Sequence, residues 1–130
     1  MLYLDSSALV KLAITEAESA SLRRWLAERP HLVLVSSSLV RAEVPRTVWR
    51  ADPSALPEAY QVIRRTTEIQ ITDGLLTKAA SVRPAILRTL GALHLASALI
   101  LRADLTAFVA YDQRLLAAAR DAGLPVASPA

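Results

Sequence analysis

The chain contains no cysteine and only three glycines among its 130 residues. The lack of thiols excludes disulfides and thiolate metal sites, and it is compatible with a reducing cytosol. We find no glycine-rich loop of the kind that cradles phosphate groups. Any metal site in this protein must therefore use oxygen or imidazole ligands.

Long uninterrupted apolar runs are also missing. The most apolar later stretch, residues 92–101, carries His94 and Ser97 and is too short to cross a bilayer. The amino-terminal residues hold Asp5 where a secretory signal would have basic residues. We therefore expect a soluble, cytoplasmic protein that does not contact the membrane.

The composition is otherwise rich in apolar residues. Hydrophobic residues make up 53% of the chain and charged residues 21%, which is enough apolar material for one core and some surplus. We expect a single domain over residues 1–130 and a homodimer that covers part of the surplus. The net charge of +3 weakly favours an anionic partner such as nucleic acid.

Short apolar stretches alternate with helical patterns along the whole chain. Strands are predicted at residues 2–4, 31–35, 69–71, 107–110 and 124–126. Helix starts are predicted at Ser6, Thr15, Ser36 to Ser38, Thr72 or Asp73, Thr89 and Gln113. Pro45 should kink its helix, and Gly123 should end the last one. This alternation predicts an α/β fold with a mostly parallel sheet and helices on both faces.

Two acids occupy equivalent places in this pattern. Asp5 and Asp112 each follow an apolar strand and open a helix. If the two strands are neighbours in a parallel sheet, both carboxylates reach the crevice at its carboxyl edge, where ligands bind in α/β folds. Helix capping is the simpler explanation for either acid alone.

Glu43 is a third candidate, because it lies at the inner margin of an amphipathic helix. A carboxylate there needs a cation or hydrogen-bond donors. An ion pair with Arg41, Arg46 or another arginine would be a purely structural explanation, and the residues leave open whether the role of Glu43 is structural or functional. If Asp5, Glu43 and Asp112 meet, they would suit Mg²⁺ or Mn²⁺ and phosphodiester hydrolysis. We interpret His94 as a packed or hydrogen-bonded core residue and not as a ligand.

Four ordered motifs carry a family resemblance. They are Leu4-Asp5-Ser6-Ser7-Ala8-Leu9, Arg41-Ala42-Glu43-Val44, Leu90-Gly91-Ala92-Leu93-His94-Leu95-Ala96 and Tyr111-Asp112-Gln113-Arg114-Leu115. In these motifs the chain resembles PIN-domain proteins, specifically VapC-type ribonuclease toxins. The resemblance implies a three-layer α/β/α sandwich, Mg²⁺-dependent endoribonuclease activity, a VapB-type antitoxin and frequent homodimers.

The resemblance also assigns a site. Asp5, Glu43 and Asp112 match the acidic residues of the family, and Ser6 matches a hydroxyl beside the first acid. Gly91 departs from the pattern, because the family usually has an aspartate there. Either the site is naturally degraded or the residue was substituted so that a toxic protein could be produced, and the other three intact acids favour the second explanation.

Three functions therefore follow from the sequence. The first is a metal-dependent endoribonuclease impaired at Gly91, with Glu43 as a ligand or as the base toward water. The second is a catalytically silent PIN domain that binds antitoxin or RNA. The third, a phosphatase or receiver-like domain, has no supporting motif.

Overall fold

A five-stranded parallel sheet forms the centre of the protein, as seen in a computed structural model that describes residues 1–130. The strands are β1 (Leu2–Leu4), β2 (Leu34–Ser37), β3 (Thr67–Ile69), β4 (Ala107–Val109) and β5 (Val126–Ala127). Their order is β3-β2-β1-β4-β5, and every neighbouring pair is parallel. The predicted parallel sheet is confirmed, and β1 lies at its middle.

Helices cover both faces of the sheet. They are α1 (Ser6–Ala13), α2 (Ser19–Ala27), α3 (Val40–Ala51), α4 (Leu56–Arg64), α5 (Asp73–Ala80), α6 (Thr89–Ile100) and α7 (Gln113–Asp121). Side chains alternate across a strand, so Leu2 and Leu4 pack with α1 to α4 while Tyr3 packs with α6 and α7. The predicted α/β/α sandwich is confirmed. None of these helices is long and apolar enough to cross a bilayer.

The bounds of two strands differ from the prediction: the second strand lies later in the chain than predicted, and the third lies earlier. The second strand begins at Leu34 and includes Ser36 and Ser37, which the sequence analysis assigns to helix caps. Ser36 fits a buried strand because its hydroxyl donates to the carbonyl of Leu4 at 2.6 Å. The third strand ends at Ile69 instead of Ile71. Cross-strand partners thus override the local preference of serine for caps.

The helix starts are correct at some places and wrong at others. Thr72 caps α5 by accepting a hydrogen bond from the amide of Leu75 at 3.1 Å, and Gly123 ends α7 with a φ of 88°. The prediction at Thr15 is wrong, because α2 begins at Ser19. The helix α6 does begin at Thr89, although Arg88 and not Thr89 occupies the capping position. A capping pattern predicts that a helix starts nearby but not at which residue.

The helix α3 continues through Pro45 instead of beginning after it. Proline at position 45 removes the donor that would pair with the carbonyl of Arg41, one turn earlier. Arg41 is exposed to solvent, whereas Pro45 is buried. The carbonyl that loses its donor therefore belongs to an exposed residue in the first turn of α3. Glu43 still lies in that turn.

We expect Leu9→Ala to lower the free energy of unfolding by about 2–5 kcal/mol, because Leu9 is fully buried between the sheet and its helices. The exposed Leu76 is the matched control, and Leu76→Ala should change stability by less than about 0.5 kcal/mol. Urea unfolding of both variants checks this. Similar losses in the two variants would contradict the assignment of Leu9 to the core.

Candidate active site

The carboxyl edge of the sheet brings Asp5 and Asp112 together. Asp5 follows β1 and Asp112 follows β4, and these strands are direct neighbours, with Leu4 opposite Val109. The amide of Asp5 donates to the carbonyl of Val109 at 3.1 Å, so the pairing extends to the first acid itself. The condition under which the sequence predicts a shared crevice is met.

Both aspartates also cap helices, which is the simpler explanation that the sequence analysis gives for each acid alone. Asp5 Oδ1 accepts hydrogen bonds from the amide of Ala8 at 3.0 Å and from Ser7 Oγ at 2.6 Å. Asp112 Oδ1 accepts from the amides of Arg114 and Leu115 at 2.9 and 3.1 Å. In each case Oδ2 accepts no hydrogen bond from the protein. Capping therefore fixes each carboxylate by one oxygen and leaves the other available.

Ser7 links the two loops that carry these acids. Its hydroxyl donates to Asp5 and accepts a hydrogen bond from the amide of Tyr111 at 3.0 Å. Tyr111 directly precedes Asp112, so one side chain ties the loop after β1 to the loop after β4. The sequence analysis singled out Ser6 and missed this role of Ser7.

Glu43 reaches the same region from the first turn of α3. Its Oε1 lies 2.8 Å from His94 Nε2, and Ser6 Oγ donates to its Oε2 at 3.5 Å, at the long limit for a hydrogen bond. Neither Arg41 nor Arg46 forms a salt bridge, so the alternative of a structural ion pair with an arginine is wrong. The partner of Glu43 is a histidine from α6.

His94 is buried, with 2% of its surface exposed, and it is hydrogen-bonded on both ring nitrogens. The interpretation of His94 as a hydrogen-bonded core residue is confirmed. What the sequence did not indicate is that one of its two partners is Glu43. The other is the hydroxyl of Tyr3, 2.8 Å from Nδ1.

Gly91 lies in the first turn of α6 and lines the same cleft as the acids. A Cβ at this position would lie 3.5 Å from Leu87 Cδ1 and 3.7 Å from Leu115 Cδ1, which are ordinary van der Waals distances. Its backbone does not adopt a positive φ. Neither packing around a Cβ nor backbone conformation requires a glycine here.

The acids and Gly91 line one cleft of about 530 Å³. Its lining also includes Ser6, His94, Arg88, Arg114 and the apolar Ile86, Leu87 and Leu90. Arg88 and Arg114 form no salt bridge, and both lie in a cleft lined by four carboxylates, those of Asp5, Glu43, Asp112 and Asp121. No three Asp, Glu or His side chains are close enough together to form a ready coordination sphere.

The burial of Asp5 has an electrostatic consequence. Only 3% of the residue is exposed, and burial is the main reason why its pKa lies above the ordinary value. The charge interaction with His94 opposes this rise of the pKa most, followed by the hydrogen bonds from Ser7 and Ala8, while the negative charge of Glu43 adds a smaller rise. The ionised carboxylate is thus under-compensated, a situation that a bound cation would relieve.

The chain matches the family model of the PIN domain over residues 2–121. This chain belongs to the PIN-domain family. It is 39% identical to ribonuclease VapC47 of Mycobacterium tuberculosis over 132 residues, covering 99% of this chain and 97% of the relative. It is 41% identical to ribonuclease VapC46 of the same organism, covering 98% and 97%. The predicted resemblance to VapC-type PIN proteins is confirmed.

A solved structure supports the fold independently. The crystal structure of Mycobacterium tuberculosis VapC20, described as a sarcin-ricin loop cleaving toxin, superposes with a TM-score of 0.76 at 18% sequence identity. The match covers 99% of this chain and 100% of VapC20. At this low identity the likeness shows a shared PIN architecture only.

We expect Asp5→Asn to raise the melting temperature by a few degrees at pH 7 in EDTA. The amide oxygen can still accept from Ala8 and Ser7, while the buried charge is gone. Because the folded-state pKa is raised, the penalty is absent below the ordinary value of 3.8 and grows as pH rises through the folded-state pKa. Thermal unfolding at pH 3 and pH 7 measures it.

The control for this prediction is Asp52→Asn. Asp52 also caps a helical turn, through Ser54, but it is exposed. Its neutralisation should give no gain in stability at either pH. A lower melting temperature for Asp5→Asn than for the parent protein at pH 7 would contradict the electrostatic account.

Proposed function

We propose that this protein is a VapC-type endoribonuclease that hydrolyses RNA phosphodiester bonds with a divalent cation, Mg²⁺ or Mn²⁺. The observation that carries the proposal is the shared cleft of Asp5, Glu43 and Asp112, in which Asp5 and Asp112 each keep one oxygen free of protein hydrogen bonds. The ribonuclease names of relatives near 40% identity point to the same activity.

The donor set of the cleft fits a hard cation. Asp5 Oδ2 and Asp112 Oδ2 carry no hydrogen bond, and Glu43 Oε2 carries only the long one from Ser6. Mg²⁺ prefers few carboxylates and keeps several waters, so it does not need three ligands in contact with one another. We assign Asp5 and Asp112 as ligands and Glu43 as a ligand or as the base.

When bound, such a cation polarises phosphoryl oxygens and makes water a better nucleophile. In the role of base, Glu43 Oε2 would take a proton from the attacking water as the water oxygen bonds to phosphorus. The bond between phosphorus and the departing oxygen would break, and that oxygen would take a proton from solvent. Arg88 and Arg114 bind neighbouring phosphates through their free guanidinium groups. An exposed single-stranded loop suits this open cleft best, because its bases can be splayed apart.

We expect Gly91→Asp to increase Mg²⁺-dependent RNA cleavage by at least about tenfold. A carboxylate in the first turn of α6 would face the other acids, favour the helix dipole and add a ligand. In EDTA the extra negative charge should lower the melting temperature, and Mg²⁺ should raise it more than in the parent protein. Cleavage of total RNA and thermal shift measure both effects.

Gly91→Asn is the matched control, since it has nearly the same shape without the charge. It should leave both cleavage and the Mg²⁺-induced shift close to those of the parent protein. Equal cleavage by the parent protein and Gly91→Asp would refute the idea that Gly91 impairs the site. If neither cleaves RNA, the protein is a binding module and the nuclease proposal fails.

We further propose a VapB-type antitoxin as the protein partner. The cleft continues from the acids onto an apolar rim, where Ile86 is 82% exposed and Leu90 is 49% exposed. An antitoxin helix or extended tail can bury these side chains and offer an arginine to the carboxylates. A homodimer remains our expectation, because apolar side chains elsewhere, such as Trp49 and Tyr60, are also exposed.

We expect Ile86→Asp to weaken binding of the cognate antitoxin about tenfold or more, since a buried anchor would become charged. Ile100→Asp is the control, because Ile100 is 52% exposed at the far end of α6 and does not line the cleft. Calorimetric titration of both variants with the antitoxin gives the two affinities. Equal affinities would place the antitoxin elsewhere.

A further inference from the structure

A chain of hydrogen bonds runs from the core to the cleft through three elements that are distant in sequence. The hydroxyl of Tyr3 in β1 lies 2.8 Å from Nδ1 of His94 in α6. Nε2 of the same ring lies 2.8 Å from Oε1 of Glu43 in α3. The carboxylate of Glu43 is thus connected through His94 to the buried side chain of Tyr3 in the central strand.

The direction of the bond to Glu43 follows from the groups involved. An ionised carboxylate has no proton to donate, so Nε2 must carry the hydrogen and donate it to Oε1. This holds whether Nδ1 accepts from the hydroxyl of Tyr3 or donates to it. The bond to Glu43 therefore does not depend on the charge of His94.

The ring of His94 is held in one orientation by its surroundings. It lies edge-on to the ring of Tyr3, with centroids 5.9 Å apart, and Tyr3 in turn stacks on Phe108 at 5.2 Å. Tyr3 and Phe108 are both fully buried. The donor that meets Glu43 is consequently fixed by the rigid centre of the sheet.

Glu43 has little else to hold it. Its side chain is 17% exposed, and its other contact is the 3.5 Å bond from Ser6. Fixing a glutamate side chain costs conformational entropy, which a second ligand group or substrate would otherwise have to offset. His94 removes much of this freedom in advance and leaves Oε2 toward the cleft.

We propose that His94, held by Tyr3, is the residue that positions the Glu43 carboxylate for the divalent cation and the attacking water. This inference rests on the proposed function. It assigns His94 no contact with the cation, because Nε2 already donates to Oε1. His94, three residues after Gly91 in α6, thus acts on the site through Glu43.

The test measures Mn²⁺ binding by calorimetry, in the parent protein and in the Gly91→Asp background. His94→Ala should raise the dissociation constant for Mn²⁺ about 10- to 100-fold. His94→Gln should stay within about threefold, because the amide nitrogen can donate from nearly the place of Nε2. Tyr3→Phe, which keeps the stacked ring and removes the hydroxyl, should fall between them.

Ala98→Gly is the control for a purely structural effect. Ala98 is fully buried one turn further along α6, and glycine there should lower the melting temperature without affecting the contacts of Glu43. It should leave the Mn²⁺ dissociation constant unchanged. If Ala98→Gly weakens binding as much as His94→Ala does, or if His94→Gln loses as much as His94→Ala, the positioning role is overturned.

The outcomes separate this inference from the proposed function. If neither the parent protein nor Gly91→Asp binds Mn²⁺, the metal-dependent function fails and the inference fails with it. If they bind Mn²⁺ and His94→Ala binds it equally well, only the role of His94 is refuted. In the metal-free protein, long-range ¹H–¹⁵N spectra should show a proton on Nε2 of His94 that shifts in Glu43→Gln, and its absence would also overturn the proposal.

Discussion

The pairing of β1 with β4 is the constraint on which the site depends. The number of residues between the two strands does not affect this, because the carboxyl ends of a parallel pair lie at one edge whatever connects them. Leu4 opposite Val109 places the loop of Asp5 beside the loop of Asp112. Ser7 then joins the two loops through a shared hydrogen-bonded hydroxyl.

The acids of the cleft serve both folding and the proposed chemistry. Asp5 and Asp112 each cap a helix with Oδ1, so the same carboxylates that begin α1 and α7 present Oδ2 to the cleft. Burial of Asp5 raises its pKa, which means that the folded protein holds this charge at a cost. Such a cost is typical of functional sites, where stability is given up for reactivity.

The four motifs of the sequence converge in space, and each comes from a different part of the fold. The loops after β1 and β4 supply Asp5 and Asp112, the first turn of α3 supplies Glu43, and α6 supplies Gly91 and His94. The likeness to VapC20 at 18% identity shows that this architecture persists when most side chains differ. At Gly91 the backbone and its neighbours leave room for a Cβ at ordinary van der Waals distances.

The sequence determined the fold class, the parallel sheet and the acids at its edge, because apolar periodicity and strand-to-helix junctions are local patterns. The residues around Gly91 also match the family motif, and this match indicates that Gly91 stands where the family usually has an aspartate. The sequence did not predict that β2 extends through Ser36 and Ser37, because cross-strand partners there outweigh the capping preference of serine. Only the tertiary structure decided that Glu43 bonds to His94 and not to an arginine, because β1, α3 and α6 meet through packing across the whole chain, which no local pattern records.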